Sequence, residues 1–309
     1  MRELTLDGRR IADDEPCYVI AEIGHNHGGD IAVCEQMIAA AATAGAHAAK
    51  LQKRENDTLY SWHLLNQSYE SEHSYGATYG AHRHALEFGV RDYTTIMATA
   101  HHHRITWFAT AFDEPSADFL VAMSAPAFKI ASGGLTDLAL LKYVGQFGKP
   151  IIVSTGGGTW KDVDAAVDVL SGTRSPFALL HCTAAYPIRD YAECNLEVIP
   201  AMRERYPETV IGWSSHDTGI ALSLVAYAMG ARIIEKHFTL NRASKGTDHA
   251  FSLEPKGLQT LCDDLQKAHV ARGDGVKRWY ESELKPIAKM RRRPTPDGLR
   301  VTGEIDAVY

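Results

Sequence analysis

Two stretches of this chain end an apolar run in a histidine. Gly230–Pro255 reads GARIIEKHFTLNRASKGTDHAFSLEP, so that Ala231, Ile233 and Ile234 lead into Glu235, Lys236 and His237; Thr209–His216, TVIGWSSH, has the same shape. An apolar strand with polar residues at its C-terminal end is how a parallel α/β protein presents a site. As neighbouring strands of one barrel, these two would bring His216 and His237 to the same mouth, where the imidazoles can share a divalent metal. Two nitrogen donors suit Mn²⁺, Fe²⁺ or Zn²⁺ better than Ca²⁺. They also leave coordination positions open for water and a substrate oxygen.

Other predicted strand ends carry Glu22, Lys50 and Gln52, Thr110, Lys129 and Ser132, Ser154, Tyr186, and Ser214. Any one of these has a plain structural reading as a capped or ion-paired group, but their recurrence on every unit points to a site. Lys50 and Lys129 supply fixed positive charge, and Thr110, Ser132 and Ser154 supply short hydroxyl donors. Together they suit a phosphate and a carboxylate held close together. The run Ser154-Thr-Gly-Gly-Gly158, opening onto a helix, adds an anion-binding turn. Asn26 and His27 follow the first strand and are placed for the site. His101-His102-His103 close a predicted helix and complement its dipole.

The elements that must position these groups recur as strand, loop, helix, with Gly or Pro between units. The strands are predicted at 18–23, 46–51, 106–109, 127–130, 151–154, 177–181, 210–213 and 232–235. The helices are predicted at 31–44, 92–103, 115–123, 137–147, 161–170, 196–205, 220–229 and 256–271. Eight alternating pairs predict an α/β fold with a parallel sheet, closed as a (β/α)8 barrel. An open doubly wound sheet is the alternative, weakened by the lack of a G-x-G-x-x-G after a strand. Before the first barrel strand, Leu4–Ile11 places an Asp-Gly turn between alternating runs, a hairpin expected to plug the barrel floor. From Lys53 to Gly89 the second unit makes a long excursion, expected to act as a lid or specificity element. Residues 1–273 are read as the barrel and 274–309 as a polar, basic C-terminal tail.

Composition bounds the possible partners. The chain has 309 residues, 45% hydrophobic and 23% charged, as in a soluble globular protein. A formal net charge of −6 argues against a nucleic-acid surface, and no apolar run is long enough to span a bilayer. Five scattered cysteines without a C-x-x-C fit reduced thiols in the cytoplasm.

AEIGHNHGGD (21–30), AAKLQK (48–53), FATAFDE (108–114), FKIASG (128–133), STG (154–156), HCTAAYP (181–187), GWSSHDTG (212–219) and EKHFTL with the following G-x-DHAFSLEP (235–255) stand in this order. They resemble the sialic acid synthase family over almost the whole predicted barrel. The resemblance implies a (β/α)8 barrel that condenses phosphoenolpyruvate with an open-chain N-acylated mannosamine or related aldehyde. The cofactor it implies is Mn²⁺, with Mg²⁺, Co²⁺ or Fe²⁺ as substitutes, and the assembly a homodimer. By motif, His216 and His237 would be the metal ligands. Lys50, Thr110, Lys129, Ser132, Ser154 and Ser214 would hold phosphoenolpyruvate. Gln52, Tyr186 and Asp248 would face the sugar, with Glu22 and Glu235 at the reacting centre.

The chain departs from the family pattern in several places. Gly134 stands where members usually carry an acid that meets the sugar, Ser215 where Asp or Gly is frequent, and Ala184 where several have Asn or Ser. The sequence ends at Tyr309, soon after Arg291-Arg292-Arg293, where an antifreeze-like domain bearing a sugar-contacting arginine would begin. Poorer use of N-acetylmannosamine than in members with both features is the expectation. A related synthase for another aldose, or a non-catalytic barrel binding a sugar acid or phosphate, are the alternatives.

Overall fold

The computed structural model describes residues 2–294 and 300–302. The chain divides into two compact units, Met1–His269 and Val270–Tyr309. The first begins with β1 (Glu3–Leu6) and β2 (Arg9–Ala12), an antiparallel hairpin turned at Asp7-Gly8, both with positive φ. Eight parallel strands follow: β3 (Tyr18–Gly24), β4 (Ala48–Lys53), β5 (Thr106–Ala111), β6 (Phe128–Ile130), β7 (Ile151–Ser154), β8 (Phe177–Cys182), β9 (Val210–Ser215) and β10 (Ile233–His237). They close in sequence order, with β10 pairing back onto β3. The expected closed barrel is the observed one.

The connecting helices are α1 (Ile31–Thr43), three short helices α2 (Asn56–Leu59), α3 (Trp62–Leu65) and α4 (Tyr79–Leu86), then α5 (Val90–His103), α6 (Glu114–Ala122), α7 (Leu138–Gly145), α8 (Trp160–Ser171), α9 (Val198–Arg205), α10 (Ala221–Ala228) and α11 (Pro255–Arg272). Side-chain caps mark several starts: Asp30 on α1, Asp113 on α6 and Asp137 on α7 each accept backbone N–H bonds. The triple histidine forms the last turn of α5, as expected of a dipole-complementing run.

Strand alternation sorts the barrel into two cores. Val19, Ala21 and Ile23, like Ala49, Leu51, Ile151, Val153 and Ile234, pack outward against the helices. Tyr18, Ile20, Ala48, Phe108, Ala127, Ile152, Ala178, Val210 and Ile233 point inward. Leu4, Leu6 and Ile11 of the hairpin join this inner cluster, so the hairpin does plug the floor. Gly212 is required by the crowding inside: a Cβ there would lie 2.5 Å from both Ile233 O and Leu180 Cδ2.

The same alternation, continued upward, turns polar. Two residues above Ile20 is Glu22, above Ala48 is Lys50, above Phe108 is Thr110, above Ala127 is Lys129, above Ile152 is Ser154, and above Ile233 is Glu235. The strand ends run past the predicted boundaries at Glu235 and Trp213 to His237 and Ser215, because these polar residues keep the sheet ladder. In the second unit, α12 (Glu281–Met290) precedes an antiparallel pair, β11 (Arg292–Pro294) and β12 (Arg300–Thr302). Among the described residues no helix is long and apolar enough to cross a membrane.

Candidate active site

Above the apolar floor lies a cavity of about 340 Å³. Thirteen of the site residues read from the sequence line it: Glu22, Lys50, Gln52, Thr110, Lys129, Ser132, Ser154, Tyr186, Ser214, His216, Glu235, His237 and Asp248. Barrel closure brings together residues separated by more than two hundred positions, with His237 registered beside Glu22 and Glu22 beside Lys50.

The deepest layer is a network of four charges. Lys50 Nζ lies 2.7 Å from Glu22 Oε2 and 3.6 Å from Glu235 Oε1, and donates to Thr110 Oγ1 at 3.1 Å. Lys129 Nζ lies 3.6 Å from the same Glu235 oxygen and donates to Ser154 Oγ at 2.6 Å. Ser214 Oγ donates to Glu235 Oε1 at 3.2 Å, while Glu235 Oε2 is buried without a hydrogen-bond partner. Burial pushes the Lys129 ammonium below its usual pKa, an effect opposed by Glu235. Burial also acts to raise the Glu235 carboxyl, but Lys129 and Lys50 hold it below its ordinary range, and therefore ionised. Gln52 Nε2 donates to Glu22 Oε1 at 2.7 Å and fixes that carboxylate from the other side.

Beside this network the rings of His216 and His237 stand with centroids 5.3 Å apart. A carbonyl only accepts, so the 3.0 Å contact of His216 Nδ1 with Thr183 O places the ring proton on Nδ1 and leaves Nε2 a lone pair. Burial, then the neighbouring His237, drives the His216 pKa down to about 3, so the ring is neutral and ligand-competent. His237 Nδ1 is buried with no hydrogen-bond partner, 3.8 Å from Asp248 Oδ2. Among the described residues no group of three or more His, Cys, Asp or Glu side chains is arranged to hold an ion. This imidazole pair is the set of side chains in the cavity that could hold a metal ion. A neutral His216 ring and the unpartnered Nδ1 of His237 beside a carboxylate fit a divalent first-row cation with positions left for exchangeable oxygen ligands.

Tyr186 packs its ring 4.0 Å from His216 and lies at the outer rim, 57% exposed. The excursion forms another wall. Within it α3 and α4 are capped by Ser61 and Thr78, and Tyr69, Tyr75, His82 and Arg83 face the cavity. Tyr75 OH donates to Lys245 O at 2.6 Å and Gly246 N to His73 Nδ1 at 3.3 Å, tying the excursion to the loop after β10. The excursion thus forms part of the cavity wall and is joined to that loop.

Two expectations need correction, those for His27 and for the glycine run. Asn26 lines the cavity but His27 does not; His27 stacks on Phe88 at 4.1 Å, and His25 lines the cavity instead. The cause is a register shift between Glu22 and Gly24, with Gly24 at φ +53, which re-aims the residues that follow. Of the glycine run only Ser154 lines the cavity. The Gly156 amide is taken by Ser132 Oγ at 3.1 Å, Thr159 and Asp162 cap α8, and Gly157 and Gly158 line a neighbouring groove. Gly134, where the resemblance noted a missing acid, borders a separate groove with Tyr60, Phe112 and Leu140. Arg54, Arg83 and Cys182 also line the cavity, beyond the residues that the sequence pattern marks. Cys182 could have been found by parity, being two residues beyond the inward-facing Leu180.

In a closed (β/α)8 barrel, buried lysines, carboxylates and a histidine pair at the C-terminal mouth stand where barrel enzymes carry their active sites. The NeuB family model matches residues 37–277, and the chain belongs to the NeuB family. It is 36% identical over 277 residues to N-acetylneuraminate-9-phosphate synthase of Mus musculus, covering 90% of this chain and 77% of that protein. It is 32% identical over 283 residues to N,N'-diacetyllegionaminic acid synthase of Legionella pneumophila, covering 90% and 79%. The crystal structure of N-acetylneuraminic acid synthetase from Leptospira borgpetersenii, in complex with citrate, superposes with a TM-score of 0.80 at 32% identity, covering 93% of this chain and 95% of that one.

The charge network generates a stability prediction. Lys50→Met is expected to lower the unfolding free energy by about 3–5 kcal/mol, because Glu22 is left charged and unpaired in the interior. Adding Glu22→Gln should recover much of that loss in urea titrations. Additive losses would show that the two charges do not support one another.

Proposed function

We propose that this chain condenses phosphoenolpyruvate with an open-chain, N-acylated amino-sugar aldehyde to give a 2-keto-3-deoxy sugar acid of the sialic acid type, with release of phosphate. The observation that supports this reading most is the placing of a lysine–hydroxyl anion site beside a histidine pair in one buried cavity. Relatives named as synthases of N-acetylneuraminate-9-phosphate and N,N'-diacetyllegionaminic acid support a sugar-acid product. The reading includes Mn²⁺, or Mg²⁺, Co²⁺ or Fe²⁺ in its place, and a homodimer.

In this mechanism Lys50 and Lys129, with Thr110, Ser132, Ser154 and Ser214, hold the phosphate and carboxylate of phosphoenolpyruvate. His216 and His237 would hold the divalent cation, which when bound supplies Lewis-acid polarisation of the aldehyde oxygen. Gln52, Tyr186 and Asp248 orient the acceptor so that its carbonyl carbon faces the enol carbon C3. Formation of the new C–C bond leaves positive charge at C2. Glu22 and Glu235, both ion-paired and preorganised, lie where they can stabilise it. Water adds at C2, and Glu235 Oε2, buried and without a partner, is the atom assigned to take its proton. The bond from C2 to the phosphate oxygen then breaks as the C2 hydroxyl gives up its proton to form the keto group, and the alkoxide left on the former aldehyde oxygen takes up a proton, so that protons balance. Lys50 and Lys129 remain beside the departing anion.

Two outcomes check this. Phosphate is expected to appear when the protein is given phosphoenolpyruvate, Mn²⁺ and a member of a panel of N-acylated hexosamines, and not when the aldose is omitted; no release with any aldose would defeat the reading. His237→Ala is expected to emerge from gel filtration without the metal that the wild-type protein retains, as read by elemental analysis, and excess EDTA should abolish turnover. Full activity in EDTA would remove the metal from the scheme.

A further inference from the structure

His216 and His237 come from adjacent strand ends, and the residues flanking them face away from the cavity. Ser214 and Glu235 line it, Ser215 and Lys236 stand opposite one another in the next register position, and His216 and His237 line it again. Ser215, Asp217 and Lys236 do not line the cavity, and each is only 1% exposed.

Behind the imidazoles these three residues close into one cluster. Lys236 Nζ donates to Asp217 Oδ1 at 2.6 Å and to Asp217 O at 2.7 Å. Ser215 Oγ donates to the same Oδ1 and accepts from the Asp217 backbone N–H at 3.2 Å. The residues on both sides of His216 are thus bonded to each other and, through Lys236, to the residue before His237. From the other side, His216 O accepts from the Ile188 N–H at 3.2 Å, and His216 Nδ1 meets Thr183 O at 3.0 Å. Lys236 Nζ also stands 6.0 Å from the ring centroid of Trp213, a member of the outer apolar cluster.

A lysine and an aspartate buried this deeply are a poor source of stability. Desolvation offsets much of their attraction, and an apolar pair of similar volume commonly holds a fold as well. What the ion pair has and an apolar pair lacks is direction: the bonds among Nζ, Oδ1 and Oγ fix where the chain turns beyond Ser215. The residue enclosed by that turn is His216, and the residue next to the lysine is His237.

Resting on the reading of His216 and His237 as holders of a divalent cation, we propose that the Lys236–Asp217 ion pair, with Ser215, is a positioning device that sets the spacing and orientation of the two imidazoles. Neither charged residue lines the site. The cluster ties the turn after β9 to the end of β10, so that both rings are presented at a fixed separation. Removing partners that orient metal-binding side chains typically weakens metal affinity by about 10–100-fold.

Wild type, Asp217→Asn, Lys236→Met and the double variant, all as the full chain, provide the test. Mn²⁺ is titrated calorimetrically, urea unfolding gives the stability, and ¹⁵N-histidine spectra of the metal-free protein report the state of the His216 ring. Each single variant is expected to be destabilised, because one buried charge is left alone, and to bind Mn²⁺ at least about tenfold more weakly. In the double variant the stability should largely return, while Mn²⁺ affinity stays low and the His216 ring loses its single Nδ1–H form. Binding of phosphoenolpyruvate in the absence of metal should remain that of the wild type. Recovery of Mn²⁺ affinity together with stability would show the pair to be merely structural and would overturn the proposal. So would ring signals in the double variant identical to those of the wild type. If the wild type itself binds no Mn²⁺, the cation reading fails on that result alone, and the ring signals of the metal-free proteins decide the positioning role.

Discussion

Glu22, Lys50, Glu235 and Lys129 are each at least 95% hidden from solvent, and in such surroundings none of these charges is stable alone. They persist because the barrel holds them within ion-pair distance of one another and gives each lysine a hydroxyl as well. Much of the rest of the molecule follows from that need. The strands must be in register, so that Glu22 stands beside Lys50 and Glu235 beside Ser214. The barrel must close, because β10 supplies a carboxylate to lysines on β4 and β6. The layer beneath must exclude water, which the inner cluster and the hairpin do.

This network is preorganised for anions. A ligand bearing phosphate and carboxylate would meet two lysines whose hydroxyl partners can turn to it, and two carboxylates that cannot move away. Such fixed charges act without reorganisation at the moment of reaction, which is where electrostatic catalysis gains over water. The histidine pair shares the same wall through Glu235 and His237 on β10, so a cation held there would sit within the field of these carboxylates. The excursion adds a further wall, tied to the loop after β10 at Tyr75 and His73.

The fold was legible because strand, loop and helix recur with regular punctuation, and the site because polar residues end apolar strands. Both signals are local. What remained hidden depends on geometry that no local pattern encodes. One register shift at Gly24 exchanges His25 for His27 at the cavity, although both follow the same strand. The amide of Gly156 is spent on Ser132, a contact between consecutive units of the barrel. The short helices of the excursion are set by tertiary packing more than by propensity, so Arg83 could not be placed from its sequence neighbourhood. Arg54 directly follows the AAKLQK strand, and only the structure shows its guanidinium resting on Phe112 above Gln52.

The central claim is that water attacks C2 of phosphoenolpyruvate and that the carbon–oxygen bond breaks. Phosphoenolpyruvate carrying ¹⁸O only in the bridging oxygen distinguishes this most directly, with product phosphate and keto acid analysed by mass spectrometry. The account predicts that the label leaves entirely with inorganic phosphate. Label retained in the keto acid would mean that the phosphorus–oxygen bond broke instead, and would contradict it.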